Sequence, residues 1–255
     1  MPTMDKVEIG GPALTLIKGE PGVGKSLAAS TYPRPLYFFD FENKMSAIKN
    51  YYTNILKKPD LMKGLTFDVY RDWDTAWTKL INFGVSCPHK SLVFDALTSS
   101  AWLAIMSIVR AKGEGGKKIA GKIKVAGIED YGGEAAALNN MIDQFITLSQ
   151  MGVHIILTAH VLRIVDKPVG GQAPTESRTL MTGGRKVAAG IPGYFNETYH
   201  LWVDALDPKT PKYIANTRHS GDDFARTSLP VPGEIDWTNR NFYEELQTHL
   251  KQNLG

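Results

Sequence analysis

Five short apolar runs, most of them followed or closed by a polar residue, recur along the first 160 residues. They are Ala13–Ile17, Pro35–Asp40, Leu65–Tyr70, Ser91–Asp95 and Val153–His160. Runs of this length that show little alternation between apolar and polar positions are typical of buried parallel strands. We therefore predict that the chain contributes five strands to one sheet.

Segments with helical periodicity lie between these runs. We predict helices at Lys25–Tyr32, at 45–57, after a capping Asp72 or Asp74, at Ser99–Val109, at Glu134–Gln150 and at Asn239–Gln252. The helix after residue 72 carries Trp73 and Trp77 on an apolar stripe, which indicates core packing rather than cofactor contact. Alternating strands and helices predict an α/β fold with a doubly wound, mainly parallel sheet. Later β segments at Glu197–Val203 and Lys212–Thr217 predict antiparallel strands at the C-terminal end.

Composition adds a few constraints. The 255 residues, 43% apolar and 22% charged, suit a single domain, with a lead-in at 1–12 and a C-terminal helix within 239–255. No apolar run is long enough to cross a bilayer, and no signal-peptide pattern opens the chain. The single Cys87 excludes an internal disulfide and a cysteine-based zinc cluster. These features predict a cytoplasmic protein with no membrane contact.

Residues 19–26, Gly-Glu-Pro-Gly-Val-Gly-Lys-Ser, match the phosphate-binding loop (P-loop) G-x-x-x-x-G-K-[ST] of nucleoside triphosphatases. Its glycines let the main chain turn N–H groups toward phosphate oxygens, and a strand before it and a helix after it complete the anion site. Lys25 places a positive charge near the β- and γ-phosphates, and the Ser26 hydroxyl can bind Mg²⁺. The residues expected to bind ATP are Gly19, Glu20, Pro21, Gly22, Val23, Gly24, Lys25, Ser26 and Leu27.

Two acidic residues close strands that follow the P-loop. Asp95 ends a mostly apolar run, which is the form of a Walker B strand whose carboxylate supports Mg²⁺. Ala96 follows it, so the catalytic glutamate that AAA-type ATPases usually carry there must lie elsewhere. Glu42 lies just past an adjacent strand end, where it could orient and deprotonate the attacking water. The alternative is that Glu42 only caps a helix.

His160 ends the strand that closes in Leu-Thr-Ala-His. From a strand end it could hydrogen-bond the γ-phosphate or the attacking water and report the nucleotide state to the segment that follows. A purely structural histidine is the alternative.

Two stretches, 110–133 and 163–192, are rich in glycine and basic residues. Between Arg110 and Lys124 six basic residues stand against one acid, in a chain whose formal net charge is only +3. Flexible basic segments can follow a phosphate backbone and bind single-stranded DNA without sequence preference. Solvated loops without a ligand are the alternative. The residues expected to contact DNA are Lys112, Lys117, Lys118, Lys122, Lys124, Arg178, Arg185 and Lys186.

In their order, these motifs resemble the RecA core, the ATPase fold of DNA recombinases and hexameric helicases. Asp40-Phe41-Glu42 matches the Asp-x-Glu pattern of its catalytic glutamate, Leu92–Asp95 matches the Walker B strand, and His160 takes the place of a sensor that is usually Gln. The two basic stretches occupy the positions of the RecA DNA-binding loops. The resemblance also implies that Arg218 acts in trans on a neighbour's nucleotide, like an arginine finger; a surface salt bridge is the alternative.

The chain lacks the N-terminal helical domain and the C-terminal domain of full-length RecA. A core of this kind is similar to the short phage-encoded Sak-type recombination proteins, which are RecA-like single-strand annealing ATPases. This resemblance implies single-stranded DNA and a single-strand-binding protein as partners, a homo-oligomer in the form of a ring or filament, and the host cytoplasm as location.

The sequence thus predicts an ATPase that DNA stimulates and that acts in homologous recombination or strand annealing. A nucleotide-gated loader or assembly module, with basic segments that meet acidic protein surfaces, is the principal alternative. A small-molecule kinase is a weaker one, because the chain offers no evident acceptor pocket or arginine-rich lid.

Overall fold

The structure is a computed structural model. It describes residues 9–112, 118–119, 123–124, 126–127, 129–166, 175–183, 185–207, 209–219 and 224–254. At 118–119, 123–124, 165–166, 175–177 and 185–187 it describes the main chain only.

Strands and helices alternate along most of the chain. The strands are β1 (Leu14–Gly19), β2 (Leu36–Asp40), β3 (Leu65–Val69), β4 (Ser91–Asp95), β5 (Lys118–Ile119), β6 (Ile123–Lys124), β7 (His154–Asp166), β8 (Thr175–Leu180), β9 (Glu197–Asp204), β10 (Lys212–Asn216) and β11 (Glu234–Asp236). The helices are α1 (Lys25–Ala29), α2 (Met45–Asn50), α3 (Trp73–Val85), α4 (Leu97–Ala111), α5 (Asp130–Gln150), α6 (Arg185–Gly190) and α7 (Phe242–Leu254).

Nine of the described strands form one sheet in the order β11-β10-β9-β1-β7-β4-β2-β3, with β8 paired to β7. Every pair from β9 to β3 along this order is parallel, whereas β10 pairs antiparallel with both β9 and β11. The predicted α/β class, with a mainly parallel sheet and antiparallel strands at the C-terminal end, is confirmed. The strand β7 separates the P-loop strand β1 from β4, which ends in Asp95.

Helices cover both faces of the sheet, which explains why its central strands are apolar throughout. The helices α3, α4 and α5 pack on one face, and α1, α2 and α7 pack on the other. Trp73 is buried and Trp77 packs beside it, with ring centroids 6.2 Å apart. The predicted core role of these tryptophans is confirmed.

Helix boundaries agree with prediction where a cap defines them. Asp72 caps α3 by accepting a hydrogen bond from the Thr75 main-chain nitrogen at 2.8 Å, as predicted. α1 ends at Ala29, earlier than predicted, because the hydroxyls of Ser30 and Thr31 bond carbonyls of the last turn. The predicted helix at 45–57 is α2 followed by a π-helical turn at Tyr51–Ile55.

The strand that carries His160 is longer than predicted. β7 continues to Asp166, and β8 returns antiparallel to it. The stretch at 163–192, predicted to be a loop, therefore contains parts of a hairpin, the helix α6 and a 3-10 turn at Ile191–Tyr194. The reason is pairing: polar residues that read as a loop in sequence form a strand when a partner strand satisfies their main-chain groups.

The basic stretch at 110–133 also contains more regular structure than predicted. α4 runs to Ala111 and α5 begins at Asp130, so helices cover part of 110–133, and β5 and β6 form a two-residue pair between them. In the part of the chain that the structure describes, every helix is too short or too polar to cross a membrane.

Candidate active site

The carboxyl ends of four parallel strands meet at one edge of the sheet. Gly19 at the end of β1 lies opposite His160 on β7, and Asp40 at the end of β2 lies opposite Asp95 at the end of β4. In open α/β sheets this edge binds ligands. Strand register alone thus brings together the P-loop, the predicted sensor and the two acidic strand ends.

The P-loop main chain requires glycine at two positions. Gly22 has a φ of 85° and Gly24 a φ of 88°, values that side chains other than glycine rarely adopt. A Cβ atom at Gly24 would also lie 2.9 Å from the Trp237 ring. The loop therefore rests directly on the strand β11 region at the far end of the chain.

Lys25 is buried, and its ammonium group turns back onto the loop. Nζ donates to the carbonyl oxygens of Gly19 at 3.0 Å and Glu20 at 2.7 Å, and it lies 3.2 Å from Nδ1 of His160. An ammonium has three donors, so all three are used within the protein. A phosphate oxygen must therefore replace at least one of these acceptors when it binds.

Burial lowers the pKa of Lys25 to about 8, against the opposing attraction of Asp95. Desolvation penalises the charged ammonium, and neutral carbonyl and imidazole acceptors compensate it only in part. A bound phosphate would favour the charged form. Phosphate binding and protonation of Lys25 are therefore linked.

The ring of His160 joins Lys25 to Glu42. Nε2 lies 3.3 Å from Oε1 of Glu42, and Nδ1 faces the Lys25 ammonium. Because an ammonium only donates and a carboxylate only accepts, Nδ1 must accept and Nε2 must carry the proton. This neutral tautomer, assigned from the hydrogen-bond network, makes the imidazole a bridge between cation and carboxylate.

Glu42 accepts hydrogen bonds from two further elements. Ser99 on α4 donates to Oε1 at 2.8 Å, and the Lys44 ammonium pairs with Oε2. The hydrogen bond to His160 lowers the pKa of Glu42 to about 2, helped by Lys44 and Ser99 and opposed by burial. The carboxylate is therefore ionised at neutral pH. It is a weak base that is well suited to hold a water molecule in a fixed orientation.

Asp40 supports the turn that carries Glu42. Its buried carboxylate accepts from the main-chain nitrogens of Glu42 at 3.0 Å and Lys44 at 3.0 Å. These bonds fix the turn that follows β2. The first acid of the Asp-x-Glu pattern is thus the support for the second.

Asp95 is 1% exposed, and burial raises the pKa of its carboxyl group. Thr158 on β7 donates to Oδ1 at 2.5 Å, and a hydrogen bond from the Ser26 hydroxyl opposes the rise. Among the described residues no group donates to Oδ2. A buried carboxylate oxygen without a donor, next to a P-loop serine, fits a divalent cation such as Mg²⁺.

No group of three or more His, Cys, Asp or Glu side chains that could hold a metal occurs within the described ranges. A cation beside Ser26 and Asp95 would therefore take its other ligands from phosphate and water, as Mg²⁺ does in nucleotide sites.

Four residues of this edge escaped the sequence analysis: Lys44, Thr98, Ser99 and Thr158. Ser99 follows the Walker B strand by only four positions, yet a serine near the start of a helix reads as a capping residue. Thr158 could have been noticed as a polar position inside an apolar strand. The contact of Ser99 with Glu42 depends on strand order, which the sequence does not reveal.

The structure describes only some of the predicted DNA-binding residues. Lys117 and Lys122 lie outside the described residues, and the side chains of Lys118, Lys124, Arg185 and Lys186 do so as well. Lys112 is described, and its ammonium pairs with Asp130 and lies 3.5 Å from Glu129. Its charge is therefore partly neutralised within the fold.

Arg178 is exposed on β8, directly opposite Arg163 on β7. Both arginines, together with Trp202 and the P-loop segment 20–23, line one cleft. Arg163 and Arg178 are called the basic hairpin surface, in a hairpin whose sequence also contains Asp166 and Glu176.

Arg218 lies away from this group. It is exposed and donates to the carbonyl oxygen of Val231 at 3.3 Å. β10 runs antiparallel to β9, so Arg218, just past its end, is carried away from the P-loop edge of its own chain. Arg226 bonds the carbonyl oxygens of Phe195 and Gly193, which is a structural arrangement.

A pocket opens beside α1 on the other side of the P-loop. Leu27, Tyr51, Tyr213 and Trp237 contribute to its lining. The Trp237 side chain is only 2% exposed, and its indole nitrogen is buried without a hydrogen-bond partner among the described residues. The pocket thus offers aromatic rings to a ligand, whereas the indole N–H is not open to it.

Comparison with known proteins supports the identification of the P-loop. No curated protein matches the chain. A similar solved structure is the flagellar accessory protein FlaH from Methanocaldococcus jannaschii, 13% identical over 89% of this chain and 85% of that chain, with a TM-score of 0.47. The family model described as an AAA domain matches residues 12–229, a range that contains the P-loop and the strands of the active-site edge. The chain belongs to this AAA family of P-loop nucleoside triphosphatase domains.

Proposed function

We propose that the protein is a Mg²⁺-dependent ATPase that binds single-stranded DNA and acts in homologous recombination or strand annealing. The observation that carries the ATPase part is the hydrogen-bonded chain Lys25–His160–Glu42, which joins the P-loop to a carboxylate held for water. A P-loop used only to bind nucleotide has no need of such a connection.

ATP would enter with its phosphates against the P-loop main chain. Lys25 exchanges a carbonyl acceptor for a β- or γ-phosphate oxygen, which restores full charge to its ammonium. Ser26 and Asp95 would hold Mg²⁺, which neutralises charge on the phosphate oxygens. His160 loses or keeps its contact with Lys25 according to whether the γ-phosphate is present.

Glu42 would align the attacking water with the γ-phosphorus. Its low pKa makes early proton removal unfavourable, so its main contribution is orientation, and Glu42 accepts the water proton only late in the reaction, as the new bond to phosphorus forms. Hydrolysis that relies on positioning and charge is the general case for phosphoryl transfer.

The purine base would occupy the pocket formed by Tyr51, Tyr213 and Trp237. The pocket borders Leu27, the residue after Ser26 in α1, so it lies where the nucleoside leaves the loop. The aromatic rings in the pocket lining suit a flat base.

Single-stranded DNA would bind along the basic hairpin surface of Arg163 and Arg178, with the stretch at 110–133 as a second contact. The proximity of these arginines to the P-loop segment 20–23 supports a coupling between DNA and nucleotide. Contact with phosphates through arginine and lysine makes such binding sensitive to salt.

We further propose that the protein acts as a homo-oligomer, a ring or filament in which Arg218 reaches the nucleotide of the next protomer. The exposure of Arg218, at a position past the end of an antiparallel strand, supports a role in trans. A single-strand-binding protein is the expected partner at the DNA. The short phage Sak-type proteins, which the motif order resembles, offer a functional parallel.

Titration of a fluorescent oligonucleotide at low and at high salt, with ATP present, tests the DNA part. The ATPase rate with and without the oligonucleotide tests the coupling. Replacement of Lys118 and Lys122 by Ala should abolish stimulation by DNA, whereas the same change at the exposed Lys57 and Lys58 serves as the matched control. Absence of DNA binding at low salt would refute this proposal and favour a loader or assembly module that contacts proteins.

A further inference from the structure

Five connected groups close a ring around the active-site edge. Ser99 on α4 donates to Glu42 at 2.8 Å, and Glu42 also meets the His160 ring at 3.3 Å. The His160 carbonyl oxygen accepts from the Met181 nitrogen at 2.8 Å, and the Met181 carbonyl oxygen accepts from the Thr98 hydroxyl at 2.8 Å. Thr98 and Ser99 are consecutive in the first turn of α4, which completes the circuit.

We propose that Thr98 and Ser99 are positioning residues that couple the end of the β7–β8 hairpin to Glu42. Ser99 holds the water-orienting carboxylate, and its neighbour Thr98 holds the segment by which the chain leaves β8. Movement of that segment is transmitted through one turn of helix to the carboxylate. This inference rests on the proposed ATPase function and adds a regulatory connection to it.

The segment that leaves β8 is held at a second point, which makes its position specific. The Gly183 nitrogen donates to Oε1 of Glu134 at 2.8 Å, and Glu134 is fully buried on α5. A Cβ atom at Gly183 would lie 2.4 Å from the Ile105 side chain. Residues 181–183 are therefore fixed against both α4 and α5. The hairpin that precedes them in the chain carries Arg163 and Arg178.

The number of acceptor sites on Glu42 explains why Ser99 matters for rate. A carboxylate has about four lone-pair directions, and Ser99, His160 and Lys44 occupy three of them. One direction remains for water. Loss of the Ser99 donor lets the carboxylate rotate, which spreads the water over several orientations.

Steady-state ATP hydrolysis by the full chain provides the first test. Ser99→Ala should lower kcat about tenfold with KM unchanged, since nucleotide contacts stay intact. Ser99→Thr, which keeps the hydroxyl, should restore most of the rate. Thr98→Val should lower kcat by a smaller factor, and the double variant should lose less than the product of the two, because both act through one circuit.

Ser100→Ala is the matched control. Ser100 lies in the same helical turn and is buried, and its hydroxyl donates to the Leu97 carbonyl oxygen at 2.9 Å. If Ser100→Ala lowered kcat as much as Ser99→Ala, the effect would be general damage to α4, and the proposed role of Ser99 would be wrong. An unchanged kcat in Ser99→Ala would refute it equally.

Hydrogen exchange of the Met181 amide tests the ring without catalysis. Ser99→Ala removes no hydrogen bond of Met181 itself. It should still speed this exchange about fivefold in the nucleotide-free chain, because the ring loses the hydrogen bond from Ser99 to Glu42. Ser100→Ala should leave it unchanged. Equal exchange rates in Ser99→Ala and the parent chain would show that the Ser99 contact with Glu42 and the Thr98 contact with Met181 are independent.

The two tests separate this inference from the ATPase proposal. If the parent chain hydrolyses ATP and both Ser99 readouts stay at parent values, the ring is refuted and the ATPase stands. If the parent chain hydrolyses no ATP but Met181 exchange responds to Ser99→Ala, the ring is a structural coupling and the proposed function fails.

Discussion

The two edges of the sheet each bury a carboxylate, and the two carboxylates differ in their hydrogen bonding. Asp95 at the carboxyl edge has one oxygen without a donor among the described residues. Glu197 at the amino edge has donors to both oxygens, from Tyr199 and Thr227 to one and from Ser228 to the other. Both side chains are nearly inaccessible to solvent.

We expect this difference to separate a carboxylate that binds a ligand from one that only supports the fold. A buried charge that is fully hydrogen-bonded ties elements together, here the start of β9 to residues 227–228. A buried charge that is only half satisfied weakens the fold and is kept where a ligand completes it. Changes at the carboxyl edge should therefore affect turnover, and changes at the amino edge should affect stability.

The largest effect is expected at Glu42. Glu42→Gln keeps the shape but removes the charge that orients water, so kcat should fall about 10²- to 10⁴-fold while ATP binding persists. Calorimetric titration of ATP and a phosphate-release assay on the same preparation measure the two quantities. Hydrolysis at the parent rate would show that another group activates the water.

Glu197→Gln should act on stability instead. Its amide would turn a donor toward hydroxyls that now donate to the carboxylate, which should lower the free energy of unfolding by about 3 kcal/mol. Urea denaturation measures this change. The kcat of the folded variant should equal that of the parent chain. A large loss of kcat under conditions where the variant is fully folded would contradict the assignment of Glu197 to stability alone.

The pH dependence of nucleotide binding reports on Lys25. Its pKa of about 8 is below the usual value for lysine, so the ammonium is lost as pH rises through 8 in the nucleotide-free protein. Bound phosphate favours the charged form, hence affinity should fall up to about eightfold between pH 7.5 and 9. Titrations with ATP over that pH range measure the affinity. Lys25→Met should bind ATP weakly, with an affinity that does not change with pH in this range.

Asp95→Asn should stabilise the nucleotide-free fold. The raised pKa means that the folded chain holds the Asp95 proton more tightly than the unfolded chain does, so ionisation opposes folding. This opposition is absent below the unfolded pKa and complete above the folded one. Asparagine should therefore raise the free energy of unfolding at pH 7 by about 1 kcal/mol, measured by urea denaturation, and show no gain in acid.

The smallest effect is expected in the base pocket. Tyr213→Leu removes a ring from the pocket lining and leaves Trp237 against the loop, so ATP affinity should fall about threefold while tripolyphosphate affinity stays constant. Tyr194→Leu, at an exposed position outside the pocket lining, is the matched control. Equal losses for both ligands would place the effect in the loop rather than the pocket.

Much of the active-site edge could be predicted because its chemistry fixes residue types at fixed spacing. The P-loop allows only glycine where φ is positive, and Asp95 and His160 both follow apolar runs. The parallel pairing of β2, β4 and β7 then brings Glu42 and His160 to one edge of the sheet, although β7 continues past His160 to Asp166. Their catalytic roles remain predictions that the variants above test.

Other parts could not be predicted, for two physical reasons. The hydroxyls of Thr98, Ser99 and Thr158 act on residues far away in sequence, and one chain contains no sign of such contacts. The polar residues of 163–192 predict a loop, where the structure has the end of β7 and the strand β8. Strand formation there depends on the partner strand and not on local propensity.

The contact between Gly24 and Trp237 has a practical consequence for where the chain can be cut. The family match ends at residue 229, yet the ring that supports the P-loop belongs to residue 237, and α7 packs beneath the same half of the sheet. A fragment trimmed at the family boundary would lose the floor of its own phosphate site. Expression of the minimal nucleotide-binding unit should therefore include residues through 254.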